Sequence, residues 1–246
     1  MTEINLRDAS DTLLVGGKAA WLGKLLRADI NVPNGFVVAA TAIFPLNNRT
    51  KTEILTKFDL LNTKKVAVRS SGADEDGAEK SFAGQFDTFL NVERGDLMNK
   101  ITEVHNSAHN ARVASYAGKS ETKLAIVVQE MVAAEISGVA FSANVVTGNR
   151  DEIVVEAVRG LGEKLVSGQI TPDLFIINKN SGEILTHEIG DEKINLSPKN
   201  LNEIVDFVIK IEQLAGQPMD IEWALCNNKI YILQARPITT LSEEEK

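Results

Sequence analysis

The chain has a single cysteine, Cys226, in 246 residues. A lone thiol cannot close an internal disulfide or build a cysteine metal cluster. Long apolar runs are missing too. No segment approaches the ~20 consecutive apolar residues that a bilayer span needs. Residues 1–10 (MTEINLRDAS) are polar and lack the apolar stretch of a signal peptide. Basic blocks are also absent: 26 Lys and Arg stand against 34 Asp and Glu, a net charge of −8. Duplex nucleic acid and anionic membrane surfaces are poor partners for such a chain. The 6 prolines and 17 glycines are too few, and the 43% hydrophobic share too high, for wholesale disorder. These exclusions predict a soluble, cytoplasmic globular protein, long enough for one large domain or two lobes.

The apolar pattern supplies the elements. Ala19, Leu22, Leu25 and Leu26 recur at helical spacing, so Gly16-Gly17 sits where a loop enters a helix. A turn over 32–35 leads to a short strand over 36–40, and residues 46–65 read as loosely helical. Val66-Ala67-Val68 begins a strand that runs into Arg69-Ser70-Ser71-Gly72, followed by a polar loop over 72–81. Thr88-Phe89-Leu90 suggests a strand. A helix is expected over 96–117, striped by Leu97, Ile101, Val104, Ala108 and Ser115. Further strands are expected over 123–131, 137–142 and 152–157, with a hairpin over 174–185. An amphipathic helix over 201–214 precedes a closing pair of strands over 219–225 and 229–233. Strands and helices intermix without βαβ alternation, which gives an α+β fold.

Few of these residues can carry chemistry. Lys18 follows two glycines at a helix start, where amides and the macrodipole favour an anion; a surface lysine fits the same pattern, and the P-loop spacing is absent. Arg69 ends a short strand, a common place for ligand contacts, or it pairs with Asp74, Glu75 or Asp76. Gly84 could let backbone amides approach a phosphate, with Thr88 adding a hydroxyl; a bulge glycine beneath Phe82 and Phe86 is the other reading. His105 and His109 lie four apart, but no third metal ligand has a readable spacing. They read as structural, as does Cys226, and His187 stands alone.

Glu222, Gln234 and Arg236 are more informative. Gln234 and Arg236 share one strand face by the two-residue period. A two-residue loop at 227–228 would pair 222 with 233 and turn Glu222 to the other face. A three-residue loop at 226–228, with Asn228 left-handed, would pair 222 with 232 and align all three. The latter is expected here. A carboxylate and an amide oxygen are hard ligands suited to Mg²⁺ on nucleotide phosphates, although an ordinary polar hairpin face has the same composition.

Taken in order, several stretches form a recognisable series: VGGKAAWLGKLL (15–26), VPNGFVVAA (32–40), VAVRSSGADEDGAEKSFAGQFDTFLNV (66–92) and VVQEMV (127–132). SGVAFSANVVTGNRDEIVVEAVRGLGEKLVSGQITPD (137–173), PMDIEWAL and YILQARPITT (218–240) complete it. The chain resembles the N-terminal ATP-binding domain of the phosphoenolpyruvate synthase, pyruvate phosphate dikinase and rifampicin phosphotransferase family. The resemblance implies an ATP-grasp-like fold, with two lobes and the nucleotide cleft between them. It implies an N-terminal lobe over 1–125 holding Lys18 and Arg69, a second lobe over 126–240, and a frayed tail at 241–246.

The same resemblance implies site residues. Lys18 and Arg69 would contact phosphates, Gly84 and Thr88 would belong to a covering loop, and Gln129, Met131 and Val132 would meet the adenine. Glu222 and Gln234 would hold Mg²⁺, with Arg236 at the transferring phosphoryl group. Full-length relatives add a swivelling domain with a phospho-accepting histidine, and none of the three histidines here sits in such a motif. The implied activity is phosphoryl transfer from Mg-ATP, with release of AMP, to a histidine on another protein or to a small molecule. Two alternatives are a non-catalytic nucleotide-binding module or sensor, and a fragment of a longer dikinase. Departures include a shortened segment between Phe44 and Val66 and Asn144-Val145 in place of Asp-Pro.

Overall fold

The computed structural model describes residues 2–72, 88–115, 124–239 and 241, without the side chains of 108–115, 164 and 166. Two compact units divide the chain: residues 1–29 with 33–131, and residues 30–32 with 132–246.

The first unit is built on a five-stranded antiparallel sheet. Its strands are β1 (Glu3–Asn5), β2 (Gly35–Val38), β3 (Lys65–Gly72), β4 (Thr88–Glu93) and β5 (Leu124–Glu130), in the order β1-β2-β5-β3-β4. β5 is buried continuously from Ala125 to Gln129 because both sheet faces are covered. On one face, α2 (Asn48–Leu60) and α3 (Leu97–Ser115) pack Ile54, Phe58, Leu97, Ile101 and Val104 against Val66, Val68, Ile126 and Val128. Asn47 caps α2, its side chain accepting from the Thr50 N–H at 2.9 Å.

The other face is covered by α1 (Thr12–Arg27), which breaks at Gly16 (φ 76°, ψ 165°). Left-handed φ alone favours glycine there, and packing adds a second demand. A Cβ on Gly16 would run into the Ser71 carbonyl of β3. The Ser71 hydroxyl spans the break, donating to the Val15 carbonyl (2.8 Å) and accepting from the Ala19 N–H (3.1 Å). The helix entry expected at Gly16-Gly17 is therefore a kink preceded by one extra turn. β1 and the 3₁₀ turn Leu6–Asp8 that follows it were unexpected. β5 also differs from expectation: it hydrogen-bonds to β2 and β3, so the strand expected to open a second lobe at residue 126 completes the first sheet.

The second unit holds a six-stranded antiparallel sheet in the order β11-β10-β6-β7-β8-β9. The strands are β6 (Ile136–Phe141), β7 (Glu152–Arg159), β8 (Asp173–Asn178), β9 (Ile184–Glu188), β10 (Met219–Cys226) and β11 (Lys229–Pro237); a single turn, α4 (Glu163–Val166), follows β7. One face is packed by α5 (Pro198–Ala215), whose Leu201, Ile204, Val208 and Ile211 are buried. Ser197 caps α5, proline takes its first turn and Gly216 (φ 73°) ends it. The burial of β8 and β10 alternates along most of their length, as expected of strands covered by a helix on one side.

Asp173 is fully buried and accepts from the Gly190 N–H (2.9 Å) and the Ile194 N–H (3.1 Å), fixing the chain that leaves β9. Asn144 is satisfied on all sides of its loop. Its Oδ1 accepts from the Val146 N–H (3.0 Å) and the Thr147 N–H (3.2 Å), and its amide donates to Glu152 at 2.7 Å. Among the described residues no helix is long and apolar enough to cross a membrane.

Candidate nucleotide-site residues in the two units

In the first unit the α1 side of β3 gathers the cations. Side chains alternate along a strand, so Arg69 lies with Ala67 and Ser71 on the face that α1 covers, and it is 8% exposed. Lys18 is half-buried on α1, and its ammonium donates to the Ser70 carbonyl at 3.0 Å, one residue beyond Arg69. Thr88 opens β4 directly opposite Arg69, exposed, so its hydroxyl shares that face. Gly84 and residues 74–76 lie outside the described residues. Of the amides expected at the helix entry, that of Ala19 is engaged by Ser71.

Gln129 stands opposite Ala67, two positions before Arg69 on β3, and is 2% exposed. Its amide donates to the Pro33 carbonyl at 3.3 Å. The Met131 N–H donates to the Lys65 carbonyl (3.1 Å), and the Val132 carbonyl accepts from the Ala134 N–H (2.9 Å). The division between units falls between these two residues.

In the second unit the hairpin corrects the expected turn. Asn227 (φ 51°) and Asn228 (φ 57°) form a two-residue loop of the kind that matches strand twist, with Cys226 opposite Lys229. Such a loop alone would face Glu222 away from Gln234. A bulge prevents this: Trp223 pairs with Ile232 while Glu222 pairs with Gln234, so Leu233 is an extra residue. The shared face comes from the bulge and not from a three-residue loop. Residues 30–32 add to the outer edge here, the Asn31 carbonyl accepting from the Ile232 N–H at 2.9 Å.

This face carries more than the spacing foretold. Asp220 pairs with Arg236 across the hairpin, and the guanidinium Nε (2.8 Å) and Nη2 (2.7 Å) hold its carboxylate. Glu156 of β7 occupies the same face, in line with Glu222 through Val139 of β6. Burial pushes the Asp220 carboxyl above its ordinary range; Arg236 opposes this and Glu222 adds to it. Burial and then Asp220 push Glu156 up as well. Both residues were missed, yet both left signals. The alternation Met219-Asp220-Ile221-Glu222-Trp223 puts Asp220 beside Glu222, and Glu156 interrupts an otherwise apolar strand.

The donor set suits a hard cation. Glu222 and Asp220 offer carboxylate oxygens and Gln234 an amide oxygen. His105 stacks on Phe44 (ring centroids 3.7 Å apart) and His187 on Phe175 (4.1 Å), which gives each a packing contact. The side chain of His109 is outside those described.

An uncharacterized phosphotransferase, YvkC, from Bacillus subtilis is 34% identical, with 100% of this chain and 36% of the relative aligned. That alignment runs over 299 positions, more than the chain's own length, so the relative carries insertions that this chain lacks. The phosphoenolpyruvate synthase of Pyrococcus furiosus is 39% identical over 73% of this chain and 26% of its own. The chain thus spans well under half the length of these curated relatives. Among solved structures, a D-alanine–D-alanine ligase from Bacillus anthracis complexed with ATP covers 89% of this chain and 53% of its own. Its TM-score is 0.46 at 11% identity. The profile of the family described as pyruvate phosphate dikinase, AMP/ATP-binding domain, matches residues 44–246, and the chain belongs to that family.

Proposed function

We propose that this chain binds Mg-ATP as the nucleotide-binding part of a dikinase-type phosphotransferase, in the ATP-grasp manner its sequence resemblance implies. The reading is carried by one observation: Glu222 stands opposite Gln234, beside the Asp220–Arg236 pair, on one polar face of a chain from an AMP/ATP-binding family. Phosphoryl transfer asks the protein chiefly for positioning and for charge stabilisation.

Each residue then has a task. Lys18 and Arg69 offset phosphate charge, Thr88 adds a hydroxyl donor, and Gly84 lets backbone approach. Gln129, Met131 and Val132 line the adenine. Glu222 and Gln234, with Asp220, hold the metal, which when bound neutralises the phosphate oxygens. Arg236 keeps Asp220 in place through two of its five N–H donors and faces the transferring group. Release of AMP requires that the α–β phosphoanhydride break. The acceptor atom bonds the β-phosphorus as AMP leaves with the bridging oxygen, and the γ-phosphate then passes from the diphosphorylated acceptor to water or another acceptor. The acceptor would be a histidine on a separate protein or a small molecule.

The test is to incubate the chain with Mg-ATP and assay AMP, alone and with histidine-bearing acceptor domains from related enzymes. AMP that depends on both acceptor and Mg²⁺ supports the reading. Calorimetric ATP binding without AMP under any pairing would instead favour a nucleotide sensor.

A further inference from the structure

A pocket of about 240 Å³ lies in the first unit, and neither Lys18 nor Arg69 lines it. It is lined from the 3₁₀ turn after β1, the end of α2 and the last residue of β5. Its floor is apolar: Leu6 and Phe36 are each 1% exposed. Leu60, 74% exposed, extends that apolar surface to the mouth. The volume is below the ~300–1,000 Å³ of sites for drug-sized ligands, which suits a ligand smaller than a nucleotide.

Charges of both signs line the same pocket. Lys57 is half-buried, and its ammonium donates to a neutral acceptor, the Asn5 side-chain oxygen, at 2.7 Å. Arg7 stands beside it, with Asp29 at 3.3 Å. Glu130 is half-buried on the other side of the charge balance, and among the described residues no ion pair involves it. Burial pushes its carboxyl above the ordinary range, and only the Asn34 backbone opposes that shift. A half-buried carboxylate without a cation is costly, and a ligand cation would relieve it.

We infer that this pocket binds a small zwitterion with an apolar tail, the chemistry of an apolar α-amino acid. Its ammonium meets Glu130, its carboxylate meets Lys57 and Arg7, and its side chain lies on Leu6, Phe36 and Leu60. A simple anion such as phosphate would be repelled by Glu130, and a simple amine would leave Lys57 and Arg7 with their present partners, Asn5 and Asp29. A ligand with both charges engages the carboxylate and the cations together.

The experiment is titration calorimetry on the full chain without nucleotide, so its outcome is separate from that of the ATP reading. The probes are L-leucine, L-phenylalanine, 4-methylpentanoate (no amine) and 3-methylbutylamine (no carboxylate). At least one amino acid should bind saturably, with the single-charge probes about tenfold weaker or worse. Glu130→Gln and Lys57→Met should each weaken that binding by about tenfold while leaving the circular dichroism spectrum of the folded chain unchanged. No saturable binding of either amino acid at about 10 mM would overturn the proposal. So would equal binding by a single-charge probe, or unaltered affinity in both folded variants.

Discussion

In the first unit helices cover both faces of the sheet, whereas the second sheet has α5 on one face and half-buried polar side chains on the other. The difference decides where function can sit. A sheet covered on both sides fills its faces mainly with Val, Ile and Ala, so each polar group there is buried and stands among few others. Lys18 sits on the covering helix, and Arg69 lies inside β3 on the face that α1 covers, 8% exposed. A sheet covered on one side leaves a whole face free for polar groups, and Asp220, Glu222, Gln234, Arg236 and Glu156 share such a face across three strands. The first unit offers cations and the second offers oxygen donors with one guanidinium among them.

The sharpest way to break this comparison is to remove one contribution at a time. Glu222→Ala should lower AMP formation about a thousandfold and Lys18→Met about a hundredfold. Glu222→Ala should also shift the Mg²⁺ requirement, which Lys18→Met should leave alone; a reversed pattern in a magnesium titration would undo the assignment of roles. Next in size is Gly16→Ala, which meets both the left-handed φ and the Ser71 carbonyl. It should cost about 3 kcal/mol, measured by urea denaturation.

A smaller effect belongs to the second unit. Asn144→Asp replaces an amide that donates to Glu152 by a second carboxylate, at 4% exposure. Stability should fall by about 1–2 kcal/mol at neutral pH, with the deficit shrinking on acidification. The smallest concerns Glu156. Its folded carboxyl holds its proton more tightly than in the unfolded chain. The folded state therefore binds more protons in the window from the ordinary carboxyl pKa to the raised one, and stability falls as pH rises through it. In metal-free buffer Glu156→Gln should flatten that fall and gain less than about 1 kcal/mol at pH 7, since the group is partly solvated. A steeper pH dependence in the variant would contradict the burial argument.

Local pattern made part of this legible. The amphipathic run Leu201–Leu214 falls within α5, which starts at Pro198 after the Ser197 cap, and the strand expected over 123–131 contains β5 (Leu124–Glu130). Motif order, more than any spacing, singled out Lys18, Arg69, Glu222 and Gln234. What escaped depends on neighbours distant in sequence. The partners of β5 decide which unit owns it, and periodicity cannot name partners. β1 is three residues long, too short for a two-residue period to register. The approach of Ser71 that demands Gly16 comes from 55 positions away, so the sequence offers a glycine without its reason. Asp220 and Glu156 were readable by alternation once the strands were placed, but residue types at motif positions drew attention past them.

The extra residue at Leu233 has a consequence for how this hairpin can vary. It acts as a phase lock: with it, Gln234 and Arg236 stand beside the two acids, and without it both would rotate toward the side that packs on α5. Exchanging one side chain for another leaves that phase intact, whereas deleting or adding a single residue between Asn228 and Gln234 reverses every position beyond it. The length of this short segment is therefore under tighter constraint than its composition.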